Sequence, residues 1–408
     1  MQFLFKTDYN DDIRFLAKTG EKVRVAIVVI FLLVAPLILQ DYYLAELGLL
    51  LVYAIAGIGL MLLTGHTGQV SFGHAGFLGI GAYAHSVLLS HGIPFIISIA
   101  MAAALSAVVG MALGRSASKM HGFYLAIATL AFGILIETVF GEWSSVTGGH
   151  MGLAVPSISF FGVSLTEVWQ QYYVDLAFTL LIIVGAANLF RSPTGRSFVA
   201  VRDSELSARC LGVNVEWVTI QAFGISAAIT GLAGALLAHH LTYLAPDVFG
   251  VLESLKLLLM IVVGGLGTIL GAVLGAVVIS LLPVGISFLK GVLPPQIGQT
   301  AGLEPLLFGL IIVLVILFEP AGLYGRWMKI RFFFETFPYY RKSSFVRPKS
   351  YLTTERMRSV LLLASRFVTC RSSSAVCMRS KTYRSMSSLA RPSPLSGRTA
   401  PARARSST

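Results

Sequence analysis

Apolar residues dominate the chain from Val23 to Phe318 and are interrupted at intervals by short polar or glycine-containing stretches. A helix that crosses a bilayer needs about 20 mostly apolar residues. On that scale the pattern predicts segments near 23–40, 43–64, 69–90, 93–114, 122–141, 172–190, 217–244 and 304–320, plus a longer apolar stretch from Leu255 to Leu289. That stretch is too long for one span, and Gly264-Gly265-Leu266-Gly267-Thr268 inside it marks a turn between two shorter ones. The expected fold is all-α: a polytopic membrane helix bundle of about ten transmembrane segments, some of them broken at glycine-rich stretches.

Composition agrees. Hydrophobic residues make up 55% of the 408, charged residues only 12%, and mean hydropathy is +0.79. Soluble domains do not have this mixture, and one signal peptide or one anchor would not produce it. The formal charge of +12 suggests nucleic acid only until it is located along the chain. Residues 1–330 hold 15 Lys/Arg against 17 Asp/Glu, 331–358 hold 7 against 2, and 359–408 hold 9 against none. A basic flank on a membrane protein indicates a cytoplasmic side, and no nucleic-acid partner is expected. Cys210, Cys370 and Cys377 lack the spacing of a metal site or a disulfide framework, so neither a metal nor a cofactor is expected.

Short loops give the orientation. Arg115 and Lys119 lie in one, Arg191, Arg196, Arg202 and Arg209 in another, while 142–171 carries no Lys or Arg and 245–253 carries Asp247 and Glu253. The first two read as cytoplasmic and the others as external. With Lys6, Arg14, Lys18, Lys22 and Arg24 near the N-terminus, both termini are expected inside, which requires an even number of spans.

The segment 64–84, TGHTGQVSFGHAGFLGIGAYA, places Gly65, Gly68, Gly73, Gly76, Gly79 and Gly81 at spacings that do not keep to one helix face. It reads as a kinked or broken segment packed deep among other helices, where irregular backbone is tolerated and often borders a substrate route. Gln69, Ser71, His74 and Gly76 are the candidate pathway residues, the polar three as hydrogen-bonding groups. Tight packing alone is the competing explanation of the glycines, and His74 alone is more often a satisfied structural group. Residues 224–238 and 263–279 have the same texture, with Gly231–Gly234 and a G-x-x-x-G pair at Gly271–Gly275. A two-fold internal repeat is left open.

The ionisable residues Glu137, Asp175, His239, His240 and Lys256 all fall near predicted span ends, so no ion-coupling centre stands out. A G-x-x-x-x-G-K-[ST] phosphate loop is also missing from the sequence. A transporter of this kind takes its energy from another polypeptide. The loop 191–216 is where its docking surface is expected, a solvated cytoplasmic loop being the competing reading. It opens with a Pro-Thr-Gly turn, continues as a helix over Ser197–Leu211 and stops at Gly212 as C-cap. Phe198, Val199, Val201, Leu206 and Leu211 are candidate anchors, and Gly195, Arg196, Arg202, Glu205, Ala208 and Gly212 are the candidate coupling residues.

Four stretches carry a family resemblance: LTGHTGQVSFGHAGFLGIGAYA, TGRSFVAVRDSELSARCLGVNVEWVTIQAFGISAAITGLAGALLA, SLKLLLMIVVGGLGTILGAVLGAV and LFEPAGLYGRW. In order and spacing they resemble the permease subunits of bacterial branched-chain amino acid ABC transporters, of the LivM/LivH type and nearer to LivM. The resemblance implies a non-enzymatic permease in the inner membrane that works by alternating access. Its implied partners are a second LivH-like permease, two cytoplasmic ATP-binding subunits and a periplasmic amino-acid-binding protein. It also implies that 197–212 touches the ATPase. Relative to the E-A-A-x-x-x-G loop of many ABC importers, the acid is displaced to Glu205 and the later Leu-Pro is missing. An ion-coupled carrier and a passive channel for small polar solutes are the alternatives.

The expected organisation is a cytoplasmic segment 1–22, a permease domain 23–320 with its coupling loop 191–216, a basic cytoplasmic segment 321–358, and a Ser/Arg-rich tail 359–408. The tail has no acid and is either disordered or an aberrant extension.

Overall fold

The structure is a computed structural model of the chain. It describes residues 19–120, 122–160, 163–165, 167–292, 309–310, 317 and 322–336. The chain divides into two units, Met1–Thr336 and Phe337–Thr408, and the second lies outside the described residues, as does nearly all of the predicted segment 304–320.

The helices in chain order are α1 (Thr19–Ile38), α2 (Asp41–Met61), α3 (His74–Ser90), α4 (Phe95–Ala117), α5 (Phe123–Glu142), the single turn α6 (Ser144–Thr147), α7 (Val168–Arg191), α8 (Pro193–Asp203), α9 (Glu205–Cys210), α10 (Val215–Leu241), α11 (Val251–Gly264), α12 (Ile269–Val292) and α13 (Gly322–Thr336). A π-helical turn, Leu62–His66, extends α2. Two small antiparallel pairs join strands β1 (Leu153–Ala154) to β4 (Tyr243–Leu244), and β2 (Ile158–Phe160) to β3 (Val163–Leu165).

Each predicted segment up to Leu289 coincides with a helix, but the segments are unequal. Among the described residues, five helices are long and apolar enough to cross a membrane: Asp41–His66, Phe95–Ala117, Phe123–Glu142, Val168–Arg191 and Val215–Leu241. By contrast α3 has 17 residues and α11 only 14, so α11 rises about 21 Å and does not span. Among the described residues the predicted segments are thus of unequal length, full spans interspersed with short helices.

The centre of the bundle is α2 packed against α10. Both are apolar all round, which fits helices enclosed by others. Ile55, Ile58 and Leu60 of α2 and Ala222, Phe223 and Ala235 of α10 are wholly buried. The two run antiparallel: Gly59 lies against Thr230, and Gly48 against His240. α3 runs parallel to α10, with His74 beside Thr230 and His85 beside His239. α11 runs parallel to α2, with Tyr53 bonded to Glu253 and Gly65 against Gly267. Full helix, irregular stretch, short helix and long helix thus occur twice, as α2–α3–α4 and as α10–α11–α12, with opposite directions. The repeat left open by the sequence is an inverted one.

Glycine sets how closely these helices cross. A Cβ on Gly81 would overlap the Gly231 carbonyl, one on Gly234 the Leu78 carbonyl, and one on Gly275 the Met260 carbonyl. The crossings of α3 with α10 and of α11 with α12 are therefore backbone to backbone. Outward faces are apolar, with Ile27, Phe31, Leu37, Leu181 and Val184 exposed, as a bilayer requires. Gly81→Ala should lower stability by about 1–3 kcal/mol through overpacking, seen as a lower Tm of the purified protein in detergent. Gly185→Ala, where nothing lies within 4 Å, should not lower it.

Candidate functional site

The irregular stretch between the π turn and α3 is Thr67–Gly73. It runs from the end of the bundle that carries α8 and α9, called here the basic end, to about half the height of α10. Gln69 Nε2 donates to Thr219 Oγ1 near the start of α10 (3.1 Å), and His74 Nε2 lies 2.8 Å from Thr230 Oγ1 and 3.2 Å from Ser226 Oγ in its middle. A second irregular stretch, Thr242–Gly250, comes from the opposite end. The N-termini of the two short helices meet at mid-height, where Ser254 Oγ of α11 accepts from the Ala75 amide of α3 at 3.0 Å.

Side chains serve the exposed backbone there. Thr129 Oγ1 of α5 accepts from the Phe72 amide at 3.1 Å, and Thr64 Oγ1 donates to the Gln69 carbonyl at 3.2 Å. Three polar atoms of the stretch are buried and have no partner: Gln69 Oε1, Ser71 Oγ and His74 Nδ1. Ser226 donates to the Gly59 carbonyl (2.6 Å), so it accepts from His74 Nε2–H. His74 Nδ1 is then an acceptor, as is Gln69 Oε1. The stretch therefore offers successive polar atoms, acceptors among them, from the basic end to mid-height.

A second group holds the basic end. Ser192 caps α8 by accepting from the Gly195 amide (3.2 Å), with Pro193 at the first helical position. Ser204, extended, caps α9 by accepting from Ser207 (3.2 Å). Gly212 adopts φ +85 just beyond α9, the left-handed conformation that ends a helix cheaply only at glycine. The continuous helix expected over 197–211 is in fact two, because Ser204 terminates one and caps the next. The expected Pro-Thr-Gly turn is the first turn of α8. Phe198 and Val201 face inward and are buried against the bundle itself, leaving Leu206 and Leu211 outward.

This unit grips the π turn. Arg202 Nη1 donates to the Gly65 carbonyl at 3.0 Å, while its Nε and Nη2 hold Asp203 Oδ1 at 3.1 and 3.0 Å. The His66 ring stacks on Phe190, with centroids 3.8 Å apart and planes 4° from parallel.

Of the sequence candidates, the structure places Gln69 and Ser71 on the irregular stretch, His74 as the first residue of α3, and Gly76 further within that regular helix, against Phe132 and Ile136. Gly195 sits tightly against Leu189 and Phe190 at the α7–α8 joint; Arg196 and Arg209 are exposed, Glu205 is half-buried and Ala208 buried. Three sets of buried polar groups are paired in a way the sequence reading did not anticipate. Glu253, assigned by sequence to an external loop, belongs to α11 and binds Tyr53 Oη (2.8 Å) and Lys256 Nζ (3.1 Å). Asp175 and His240 pair at 2.7 Å. His85 and His239 share a 2.9 Å bond, with Ser98 2.7 Å from His85 Nδ1. An acid inside the apolar pattern of α7 and a His-His pair ending α10 were the signals available.

These features define a class: a multi-pass helical membrane transport protein with discontinuous helices and a surface helix unit at one end. The chain matches the family model described as the permease component of the branched-chain amino acid transport system over residues 42–318, and it belongs to that family. It is 31% identical over 255 residues to the Salmonella typhimurium high-affinity branched-chain amino acid transport system permease protein LivM, covering 56% of this chain and 60% of that protein. It is 25% identical over 298 residues to the corresponding Escherichia coli protein LivH, covering 67% and 91%. The autoinducer 2 import system permease protein LsrC of Enterobacter sp. is 30% identical over 233 residues, covering 56% and 65%. The chain thus spans less than two thirds of the length of the LivM relative. No solved structure matches.

Gly73 and Gly76 should separate. A Cβ on Gly73 would overlap the Thr129 carbonyl, whereas one on Gly76 comes no nearer than 3.4 Å to Phe132. Gly76→Ala should give wild-type yields of monodisperse protein by size exclusion, and Gly73→Ala should not.

Proposed function

We propose that this chain is the permease subunit of an ABC importer for branched-chain amino acids or chemically close solutes, with no covalent chemistry of its own. The observation that carries the reading is the surface unit α8–α9 rooted on a discontinuous membrane segment. A chain that moves solute with energy from elsewhere needs such a contact between an outside partner and its pathway. Family membership supports the same conclusion, and in this reading substrate choice rests with a delivering protein.

In this reading the basic end and both termini are cytoplasmic in a bacterial inner membrane. Two ATP-binding subunits dock on the basic end of a dimer made with a second, LivH-like permease, and a periplasmic binding protein delivers substrate to the opposite face. ATP binding draws the surface units together and the permease halves rock about the cavity between them. Gln69, Ser71 and His74 line the route and offer acceptors to an ammonium group. Gly76 contributes by close packing beside them. Leu206 and Leu211, flanked by Glu205 and Arg209, are the apolar anchors for the ATPase.

Labelled leucine uptake into proteoliposomes tests this. Uptake is expected only with the second permease, both ATPases, the binding protein and ATP. Accumulation by the chain alone under a proton gradient would make it an ion-coupled carrier using buried groups such as Asp175–His240, and downhill flux by the chain alone would make it a channel. Leu211→Asp should weaken co-purification of the ATPase subunits by more than about tenfold, the scale of losing an interface anchor.

A further inference from the structure

The basic loop and the discontinuous segment were read from sequence as separate sites, yet one side chain joins them. Arg202 lies on α8 with its guanidinium over the π turn. Nη1 holds the Gly65 carbonyl at 3.0 Å, and the Asp203 carboxylate fixes the other edge of the fork. Its aliphatic stem covers Gly68, where a Cβ would stand 3.0 Å from Arg202 Cγ. Gly68 has φ +74, a left-handed turn immediately after the π turn. On its other side Gly65 abuts the break between α11 and α12: a Cβ on Gly65 would lie 2.7 Å from the Gly267 Cα. Arg202 therefore touches the turn that begins one discontinuous segment, and that turn touches the one that ends the other short helix.

The π turn differs from an α turn by one residue of register. Its hydrogen-bonded ring holds one residue more than an α turn. Relaxation to α geometry moves every later residue by one position, about 100° of rotation and 1.5 Å of rise. Such a step would swing Gln69 and Ser71 relative to Thr219 and the rest of α10. The Gly65 carbonyl is the acceptor held by Arg202, so its capture favours one register.

We propose that Arg202 is the positioning residue that passes movement of α8 to the segment Gly65–Gly73, biasing the register of the π turn and with it the polar stretch Gln69–His74. The inference rests on the importer reading and goes beyond it, because it assigns to Arg202 a role directed into the membrane and not toward the ATPase.

The test uses the full complex in proteoliposomes, with wild type, Arg202→Met and Arg202→Lys. Methionine keeps an apolar stem over Gly68 and loses the bond to Gly65; lysine keeps a donor. For Arg202→Met we expect normal co-purification of the ATPase subunits, ATP hydrolysis within twofold of wild type, and leucine uptake per ATP lower by about tenfold, the scale of one charged hydrogen bond. Arg202→Lys should recover most of that loss. Hydrogen exchange of peptides covering 62–73 should change on binding a non-hydrolysable ATP analogue in wild type and not in Arg202→Met, while peptides covering 193–203 respond in both. Unchanged uptake per ATP in Arg202→Met, loss of ATPase co-purification, or no nucleotide response at 62–73 in wild type would each overturn the inference. Failure of the wild-type complex to take up leucine with ATP would instead overturn the importer reading itself.

Discussion

Backbone amides and carbonyls at membrane depth need partners from within the protein, because lipid offers none. Most of this structure follows from that requirement at two stretches, Thr67–Gly73 and Thr242–Gly250. Apart from the 3-10 turn Pro246–Phe249 they are not helical, so much of their backbone needs partners from elsewhere. Thr129 reaches in from α5 for the Phe72 amide, Ser254 from α11 for the Ala75 amide, and the Thr242 carbonyl accepts from Val155. Tyr243–Leu244 borrows Leu153–Ala154 as a strand partner. Each partner must come close, which explains the small residues at the same points. Gly73 lets α5 approach through Thr129 and Gly133, and Gly81 and Gly234 let α3 lie against α10. The glycines are thus a consequence of burying irregular backbone, both where the chain is broken and where neighbours close over the break.

That distinction explains how much was legible in the sequence. The helical, multi-pass class was plain from hydropathy, and the division of the stretch 255–289 at Gly264–Thr268 followed from its length together with its glycine cluster. A break within 64–84 was legible because the glycine spacings suit no single helix face. Its position was not. Gly68 and Gly73 look like Gly76 and Gly81 along the chain, and only the opposing elements tell them apart: Gly68 has φ +74 under the Arg202 stem, whereas Gly81 is regular helix against Gly231. In the same way Phe198 and Val201 matched Leu206 and Leu211 as apolar positions of the basic loop. Ser204 breaks the helix between the two pairs, so one faces the permease and the other faces outward.

The polar residues divide similarly. The sequence placed the ionisable groups at span ends and saw little in them. The structure buries Asp175, His239 and Glu253, each against its own partner. Ser98 donates to the Phe95 carbonyl at 2.9 Å and so accepts from His85 Nδ1–H. His85 Nε2 is then the acceptor for His239 Nε2–H. Asp175 takes the His240 proton donor, and Glu253 takes Tyr53 and Lys256. Closed pairs of this kind hold helices α3, α4, α7 and α10 together toward the far end of the bundle, where β1 and β4 also join. Such burial is costly for each group alone and tolerable for the matched set.

The discontinuous segment is the opposite case. Gln69 Oε1, Ser71 Oγ and His74 Nδ1 are buried with nothing to bond to, a few residues from a helix N-terminus that carries no acid. The matching N-terminus of α11 is occupied by its own Glu253. In an inverted repeat the two short helices would be expected to end alike at mid-height. They do not: one end is neutralised from within, and the other keeps open hydrogen-bonding capacity along the stretch that leads from the basic end. Buried polar groups are costly without partners, so the two arms carry unequal polar demand at the same depth. The two arms therefore differ at mid-height, one carrying Glu253 in its first turn and the other no acid, and Arg202 contacts the turn that precedes the second.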